Sequence, residues 1–187
     1  MIEKSQNRAG RRLLRIFLLL LSSVLVVAAS ASVLNYLYMQ ASPITAETAK
    51  VQFVLADDSQ AAGANIGTNG TYVSFNSMGG WPNATRVYQA AVGIKNFDTA
   101  DHNINLAFAS WSGDTDQIES ITVIVRDSVG GTQKGSTIYV GVQGSSTGEI
   151  TIPAGATWVV EWNIKWKAGA LSTNTVSVTL QLLVEGE

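Results

Sequence analysis

The chain of 187 residues contains no cysteine, one histidine and three prolines, and only 14% of its residues are charged. Without cysteine it has no disulfide framework, no thiolate metal site and no cysteine nucleophile. With His102 as the only histidine it has no HExxH motif and no site that needs two imidazoles. These absences exclude most familiar catalytic and metal-binding motifs, so we expect a protein that is not an enzyme and uses no cofactor.

The few remaining candidates for chemistry are single polar residues. A Ser-His-Asp arrangement would have to use His102, which lies in the polar stretch FDTADHN, typical of a surface turn. Glu161 lies within an apolar strand, but the alternation of that strand places it on the outer face, away from the pocket that a general acid needs. Asp114 and Asp116 in SGDTDQ offer alternating oxygens of the kind calcium accepts, yet the rest of a calcium loop is missing. A solvated turn is therefore the favoured interpretation of this pair.

Positive charge is concentrated at the N-terminus. Five of the twelve Lys and Arg residues lie within the first 15 residues beside a single acid, and the rest of the chain has seven basic and thirteen acidic residues. An acidic body with scattered basic residues lacks the electrostatic surface that nucleic acid requires. We therefore exclude nucleic acid as a partner.

The basic segment is followed by the uncharged run IFLLLLSSVLVVAASA, which ends at Ala31. This order is typical of a secretory signal peptide with an A-x-A cleavage site. It predicts a signal peptide over residues 1–31, cleavage between Ala31 and Ser32, and an extracellular protein. The alternative is an uncleaved membrane anchor over residues 16–39, beginning at Ile16 and ending at Met39, which is long enough to span a bilayer. Both interpretations place the body outside the cell.

From Lys50 to the end, apolar and polar residues alternate with the period of a strand that has one buried face. The clearest case is TWVVEWNIKWKA, which predicts a central strand with Trp158, Trp162 and Trp166 in the core. The final segment NTVSVTLQLLVEGE has the same pattern, and we expect it to pair with this strand. Seven further runs of this kind lie at residues 50–56, 71–75, 86–96, 103–109, 117–127, 136–143 and 148–155.

Turns rich in Gly, Asn, Asp and Ser separate these runs, and no segment after residue 45 has a helical period. Eight or nine short strands in about 140 residues predict an all-β, jelly-roll-like β-sandwich over residues 44–187, although an immunoglobulin-like strand order also fits.

Two turns contain sequons, at Asn69 and Asn83, which are possible N-glycosylation sites. Trp81 and Trp111 lie in predicted loops and are candidates for exposed contacts.

Residues 32–43, SVLNYLYMQASP, would form the N-terminus that signal cleavage creates. An extended strand here is apolar on both faces, which suits burial on both sides. It could pair within its own sandwich, or it could add to an open sheet edge of the next subunit by donor-strand complementation. In the second case donor and groove are different surfaces, so the contacts run head to tail and form a filament unless they close into a ring. The two faces consist of Val33, Leu37 and Met39, and of Leu34, Tyr36 and Tyr38.

Three stretches carry a resemblance to a known family: SVLNYLYM directly after the leader, YQAAVGIKNFDTADHNINLAFAS, and IPAGATWVVEWNIKW with the alternating strand that follows. Together they resemble the archaeal bundling pilins, which are similar to the TasA/camelysin group of biofilm-matrix proteins. The resemblance implies a jelly-roll subunit that polymerises with itself by strand donation and forms extracellular filaments that bundle through exposed loops.

Two other classes remain open. One is a monomeric, membrane-anchored surface or solute-binding domain with residues 16–39 as its anchor. The other is a hydrolase on a sandwich scaffold. Some relatives in the resembling group are labelled metallopeptidases, but a chain with one histidine and no zinc motif gives that label no support.

Overall fold

A computed structural model describes Phe17 and residues 48–185. The predicted cleavage site, the predicted donor strand at residues 32–43 and, apart from Phe17, the predicted signal peptide and alternative anchor therefore lie outside the described residues. The unit Glu47–Glu187 is compact. Its elements are β1 (Val51–Val54), α1 (Ser59–Ala62), β2 (Ala64–Ile66), β3 (Val73–Phe75), β4 (Thr85–Asn96), β5 (His102–Gly113), a 3-10 helix (Thr115–Gln117), β6 (Ile118–Arg126), β7 (Gln133–Tyr139), β8 (Ile150–Ile152), β9 (Thr157–Trp166) and β10 (Val176–Val184).

Two antiparallel sheets form a sandwich. The large sheet has the strand order β1-β4-β9-β6-β7 and the small sheet has the order β10-β5-β8, while β2 and β3 form a separate hairpin. Consecutive strands from β4 to β6 and from β7 to β10 alternate between the two sheets, as they do in double-sheet jelly rolls. The prediction of an all-β sandwich is confirmed.

The core lies between the two sheets and follows from the alternation along each strand. On β9 the even-numbered residues from Trp158 to Ile164 are buried, and they pack with Ile104 and Leu106 of β5. Trp158 and Trp162 are each 6% exposed, which confirms them as core residues. Trp166, at the end of the same strand, is only partly buried and packs at the margin of the core, so its prediction as a core residue is only partly right.

The predicted pairing of the last two strands is wrong. β9 lies in the middle of the large sheet between β4 and β6, whereas β10 pairs with β5 in the small sheet. The loop between β9 and β10 therefore carries the chain from one sheet to the other. Alternation along a strand specifies which face is buried, but it does not specify which strand is the neighbour.

Two segments that the sequence assigns to turns have regular structure. The first, residues 57–70, contains the one-turn helix α1 and strand β2. Two hydrogen bonds that involve side chains hold α1 and the preceding Asp58 against β4. Ser59 Oγ donates to the Ala91 carbonyl at 2.9 Å, and the Ala90 N–H donates to Asp58 Oδ2 at 3.1 Å. The second is the end of β5, which continues to Gly113 and places Trp111 in a strand rather than in a loop.

Candidate functional site: an open groove beside the last strand

A groove of about 540 Å³ runs along β10. Strand β10 lines one side, the β2–β3 hairpin and the chain that follows it line another, and core side chains of the large sheet form the floor. The lining has no charged residue. It consists of Phe53, Thr71, Tyr72, Val73, Ser74, Phe75, Met78, Gly79, Val92, Leu106, Ile121, Val160, Trp162, Ile164, Trp166, Val176, Ser177, Val178, Thr179, Leu180, Gln181 and Leu182.

The groove exists because the two sheets differ in width. Three strands of the small sheet face five of the large sheet, and within residues 48–185 no strand lies beyond β10. The inward-facing residues of β10 therefore remain only partly buried, whereas those of β9 are buried. The five partly buried residues are Val176, Val178, Leu180, Leu182 and Val184.

At the five partly buried, even-numbered residues of β10, the backbone N–H and C=O groups point away from β5, toward the open edge of the small sheet. The carbonyl of Thr175 accepts the Asp114 N–H at 2.8 Å, and the N–H of Glu185 donates to the Asn103 carbonyl at 2.9 Å, so both ends of the strand direct odd-numbered residues toward β5. Successive residues of a strand direct their backbone groups to opposite sides. Even-numbered residues of β10 therefore direct N–H and C=O to the outer edge, where no described strand pairs with them.

The edge of β10 differs from the other three edges of the sandwich. β8 has three residues and β1 has four, and β7 carries Lys134 together with Gly135 at a φ of 70°. Short strands, lysines and backbone irregularities are the usual means of protecting a sheet edge from pairing. β10 has nine residues, VSVTLQLLV, without a charge or a proline. It is the one sandwich edge in the described part of the chain with none of these protections.

The residues that the sequence offered for catalysis lie elsewhere and have structural partners. His102 is the first residue of β5 and is only 7% exposed, so its assignment to a surface turn is wrong. Its Nε2 lies 2.9 Å from Asp98 Oδ2, which is also 3.1 Å from Lys50 Nζ. The contact with His102 first, and then the contact with Lys50, holds the pKa of Asp98 far below its ordinary range. Within the described residues this carboxylate is the side-chain partner that His102 contacts, and no serine hydroxyl joins the pair.

Glu161 is buried although it faces away from the core. Its Oε2 accepts a hydrogen bond from Arg126 Nε at 2.6 Å, and its Oε1 accepts one from Asn163 at 2.9 Å. Burial opposes ionisation, but the hydrogen bonds from Arg126 and Asn163 outweigh it and lower the pKa of Glu161. A general acid in glycoside hydrolysis needs a raised pKa, so Glu161 has the electrostatics of a structural ion pair.

The calcium candidates also have structural partners. Asp114 Oδ2 accepts the N–H of Thr175 at 2.8 Å, and Asp116 Oδ2 accepts a hydrogen bond from Gln117 at 2.8 Å. The ammonium of Lys167 lies 2.6 Å from the Asp116 carbonyl, which places a positive charge beside the pair. Across residue 17 and residues 48–185, no group of three or more His, Cys, Asp or Glu side chains could hold a metal ion.

Sequence reasoning missed the groove, although one of its signals is visible in the sequence. The last strand alternates over nine residues, VSVTLQLLV, without a charged side chain. Such a run predicts either a central strand or an edge strand that another strand covers. Its position as an edge depends on its pairing with β5, which the sequence did not reveal. Both sequons lie on exposed turns, Asn69 beside the groove residues Thr71 and Tyr72, and Asn83 beside Trp81.

The fold and the groove together define a class of protein, an all-β sandwich whose last strand leaves an unprotected edge beside an uncharged apolar groove. Scans against protein-family models find no family that matches this chain, and a search of curated proteins finds no significant match. In the part of the chain that the structure describes, no helix has the length and apolar character needed to cross a membrane.

Proposed function

We propose that this protein is the structural subunit of an extracellular filament, in which residues 33–39 of one copy occupy the groove beside β10 of the next copy. The observation that supports this proposal is that the even-numbered residues of β10 leave both their side chains and their backbone groups open to a partner. They present apolar side chains to the groove and backbone N–H and C=O groups to its open edge. A β-strand is the occupant that covers apolar side chains and pairs backbone groups at the same time.

The proposed donor fits this groove in length and chemistry. Seven extended residues span about 23 Å at about 3.3 Å per residue, and the nine residues of β10 span about 30 Å. Residues 32–43 have no charged side chain, and neither does the groove lining. The α-amino group that cleavage creates at Ser32 lies outside the proposed donor, residues 33–39. Burial of the six large side chains of residues 33–39, at about 1.5 to 3 kcal/mol each, amounts to roughly 10 kcal/mol before the costs of association and ordering.

A small apolar ligand is the occupant that the solute-binding alternative requires. The groove volume of about 540 Å³ lies within the usual range of about 300 to 1,000 Å³ for such sites. A small molecule would bury the side chains of β10 but would leave its row of backbone groups without partners. Since unpaired backbone groups are costly when they are buried, the open edge favours a strand.

A proline substitution in β10 separates these two occupants. Val178 directs its N–H to the open edge, so Val178→Pro removes no hydrogen bond from the isolated subunit and blocks pairing with an incoming strand. We expect the mature Val178→Pro chain to stay folded, as judged by circular dichroism, and to form no filaments by electron microscopy. Val178→Ala keeps the N–H and is the matched control for lost side-chain volume. Leu183→Thr, an uncharged change on the outer face of β10 where the residue is 48% exposed, should assemble normally.

Two chains with defects at opposite ends, each mixed with wild-type chain, test whether the donor enters a neighbour. Leu37→Asp places a charge in the donor and leaves the groove intact, whereas Val178→Pro leaves the donor intact and blocks the groove edge. Each chain alone should remain a monomer in analytical ultracentrifugation. A mixture with wild-type chain should shorten filaments, because each defective chain ends growth at one of the two ends. Filaments of Val178→Pro at wild-type length and amount would refute β10 as the acceptor edge.

A further inference from the structure

The geometry of the turn at residues 81–85 points to a modification site. We propose that Asn83 carries an N-linked glycan whose first sugar packs against the exposed surface of the Trp81 indole. The proposal requires export of the chain, which is part of the proposed function, but it does not depend on filament assembly.

The backbone of this turn is fixed before any sugar is attached. The Ala84 N–H donates to the Trp81 carbonyl at 3.3 Å, and the Asn83 N–H donates to the Trp166 carbonyl at 3.1 Å. Asn83 has a φ of 58° and is the one residue other than glycine with a positive φ in the described part of the chain. Proline in the second position and asparagine with positive φ in the third are typical of a type II turn. The sequon therefore begins on a rigid, exposed turn and ends at Thr85, the first residue of β4.

The side chains of the sequon are available for modification. Asn83 and Thr85 are both exposed, and neither side chain takes part in a hydrogen bond within residues 48–185. Exposed asparagine in the Asn-X-Thr pattern is the acceptor for N-glycosylation. In the reaction, the Asn83 amide nitrogen attacks C1 of a sugar that is carried on a polyprenyl phosphate or diphosphate. The new C–N bond replaces the C1–O bond, the lipid phosphate leaves with the electron pair, and the amide nitrogen loses one proton.

Trp81 supplies an apolar surface next to the sequon. Its side chain is 60% exposed, which is unusual for the largest apolar residue. The Arg86 guanidinium lies over the ring at 5.1 Å from its centroid and is itself held over Tyr88 at 4.8 Å. A cation–π contact thus covers one face of the indole, and since the residue is 60% exposed, much of the remaining ring surface is in contact with solvent. Consecutive Cα atoms lie about 3.8 Å apart, so the Cα atoms of Trp81 and Asn83 are at most about 7.6 Å apart, within reach of the first sugar.

The second sequon lacks these features. Asn69 is followed by the buried Gly70 and then by Thr71 and Tyr72, which line the groove. A glycan there would lie at the rim of the groove, where the proposed donor strand enters. No residue from Trp81 to Thr85 lines the groove. Asn83 contacts the groove only through its backbone, since its N–H donates to the carbonyl of the groove residue Trp166. Its sequon lies outside the lining, whereas Thr71 of the other sequon is part of it, so the two sequons are not equivalent.

Glycopeptide mass spectrometry tests the site on the full chain exported by cells that modify Asn-X-Thr sequons. We expect the peptide that contains Asn83 to carry a glycan in wild type and in Thr85→Ser, and to be unmodified in Thr85→Ala. The assembly-deficient Leu37→Asp chain should carry the same glycan, which separates this inference from the proposed filament. An unmodified Asn83 peptide, in cells that occupy a secreted reporter sequon, would overturn the proposal.

Thermal unfolding tests the role of Trp81. The glycosylated chain should melt about 2–4 °C above the Thr85→Ala chain, the shift that about 1 kcal/mol produces in a domain of this size. In a Trp81→Ala background the glycan should still be attached, but this difference in Tm should vanish because the packing surface is gone. A difference of the same size in the Trp81→Ala background would refute the contact between sugar and indole.

Discussion

At the scale of single residues, the described part of the core contains one buried side-chain nitrogen or oxygen without a hydrogen-bond partner. The indole Nε1 of Trp162 is buried and makes no hydrogen bond to any described residue. Tyr88 provides the contrast, because it is also a buried aromatic residue, but its hydroxyl accepts the Gly79 N–H at 3.0 Å. Buried polar groups without partners destabilise the folded state, whereas paired ones contribute modestly.

This contrast predicts that two substitutions, each of which removes one polar group, destabilise the fold for different reasons. Trp162→Phe removes an unpaired N–H and some apolar area, so we expect a loss of no more than about 1–2 kcal/mol in the free energy of unfolding. The truncation Trp162→Ala should cost about 3–5 kcal/mol. Tyr88→Phe leaves the Gly79 N–H without its acceptor and should cost about 1–2 kcal/mol although no apolar area is lost. Urea denaturation of the monomeric Leu37→Asp chain measures all three, and a stabilising Tyr88→Phe would contradict this account.

The Asp98 carboxylate predicts how stability depends on pH. Its pKa in the folded chain lies well below the ordinary value of 3.8, because of His102 and then Lys50. A lowered folded-state pKa means that the stabilisation is complete above pH 3.8 and is lost as the pH falls below that value. Asp98→Asn should therefore flatten the acid side of the stability curve between about pH 4 and pH 2. Urea midpoints of wild type and Asp98→Asn across this range provide the measurement, and an equal slope for the two chains would contradict this account.

At the scale of secondary-structure elements, the strands with long alternation were predictable from the sequence. The predicted run at residues 86–96 is β4, and the run at residues 117–127 contains β6. The end of β5 was not predictable, because SWSG has the composition of a turn and becomes a strand only by pairing with the start of β10. The helix α1 was missed because one turn is too short to show a helical period.

The groove could not be predicted because it is a property of the sheets rather than of any strand. Its floor, including Trp162 and Ile164, belongs to the core that the alternation of β9 predicts. Its open side depends on the number of strands in the small sheet and on the position of β10 within that sheet. Alternation contains no information on either, since it reports burial of a face and not the identity of a neighbour.

The orientation of the β10 backbone predicts a difference between adjacent proline substitutions. Ser177 directs its N–H toward β5 and Val178 directs its N–H toward the open edge. Ser177→Pro should therefore lower the free energy of unfolding by about 3 kcal/mol or more, while Val178→Pro should lower it by about 1 kcal/mol. Chemical denaturation of both variants in the Leu37→Asp background provides the comparison. Equal losses would show that the assigned orientation is wrong.

At the scale of the whole molecule, the proposal makes the N-terminus a functional surface. Cleavage after Ala31 would release Ser32 and the apolar segment that follows it, whereas an uncleaved anchor would keep that segment in the membrane. We expect N-terminal sequencing of the extracellular protein to begin at Ser32. Recovery of the chain in membrane fractions with an intact leader would contradict the filament and favour the anchored, monomeric domain.

Of the described strands, β10 is the last to be synthesised, and the proposed donor precedes them all in the chain. During export the apolar residues 33–39 therefore emerge first, and the acceptor strand β10 of the same chain emerges after all other described strands. Until β10 has emerged and folded, the donor segment can only insert beside the β10 of a molecule that was exported earlier. In the proposed filament, this chain order would disfavour insertion of the donor into its own groove. It would also give growth a direction, because each added subunit would insert its N-terminal strand into a subunit whose β10 is already folded.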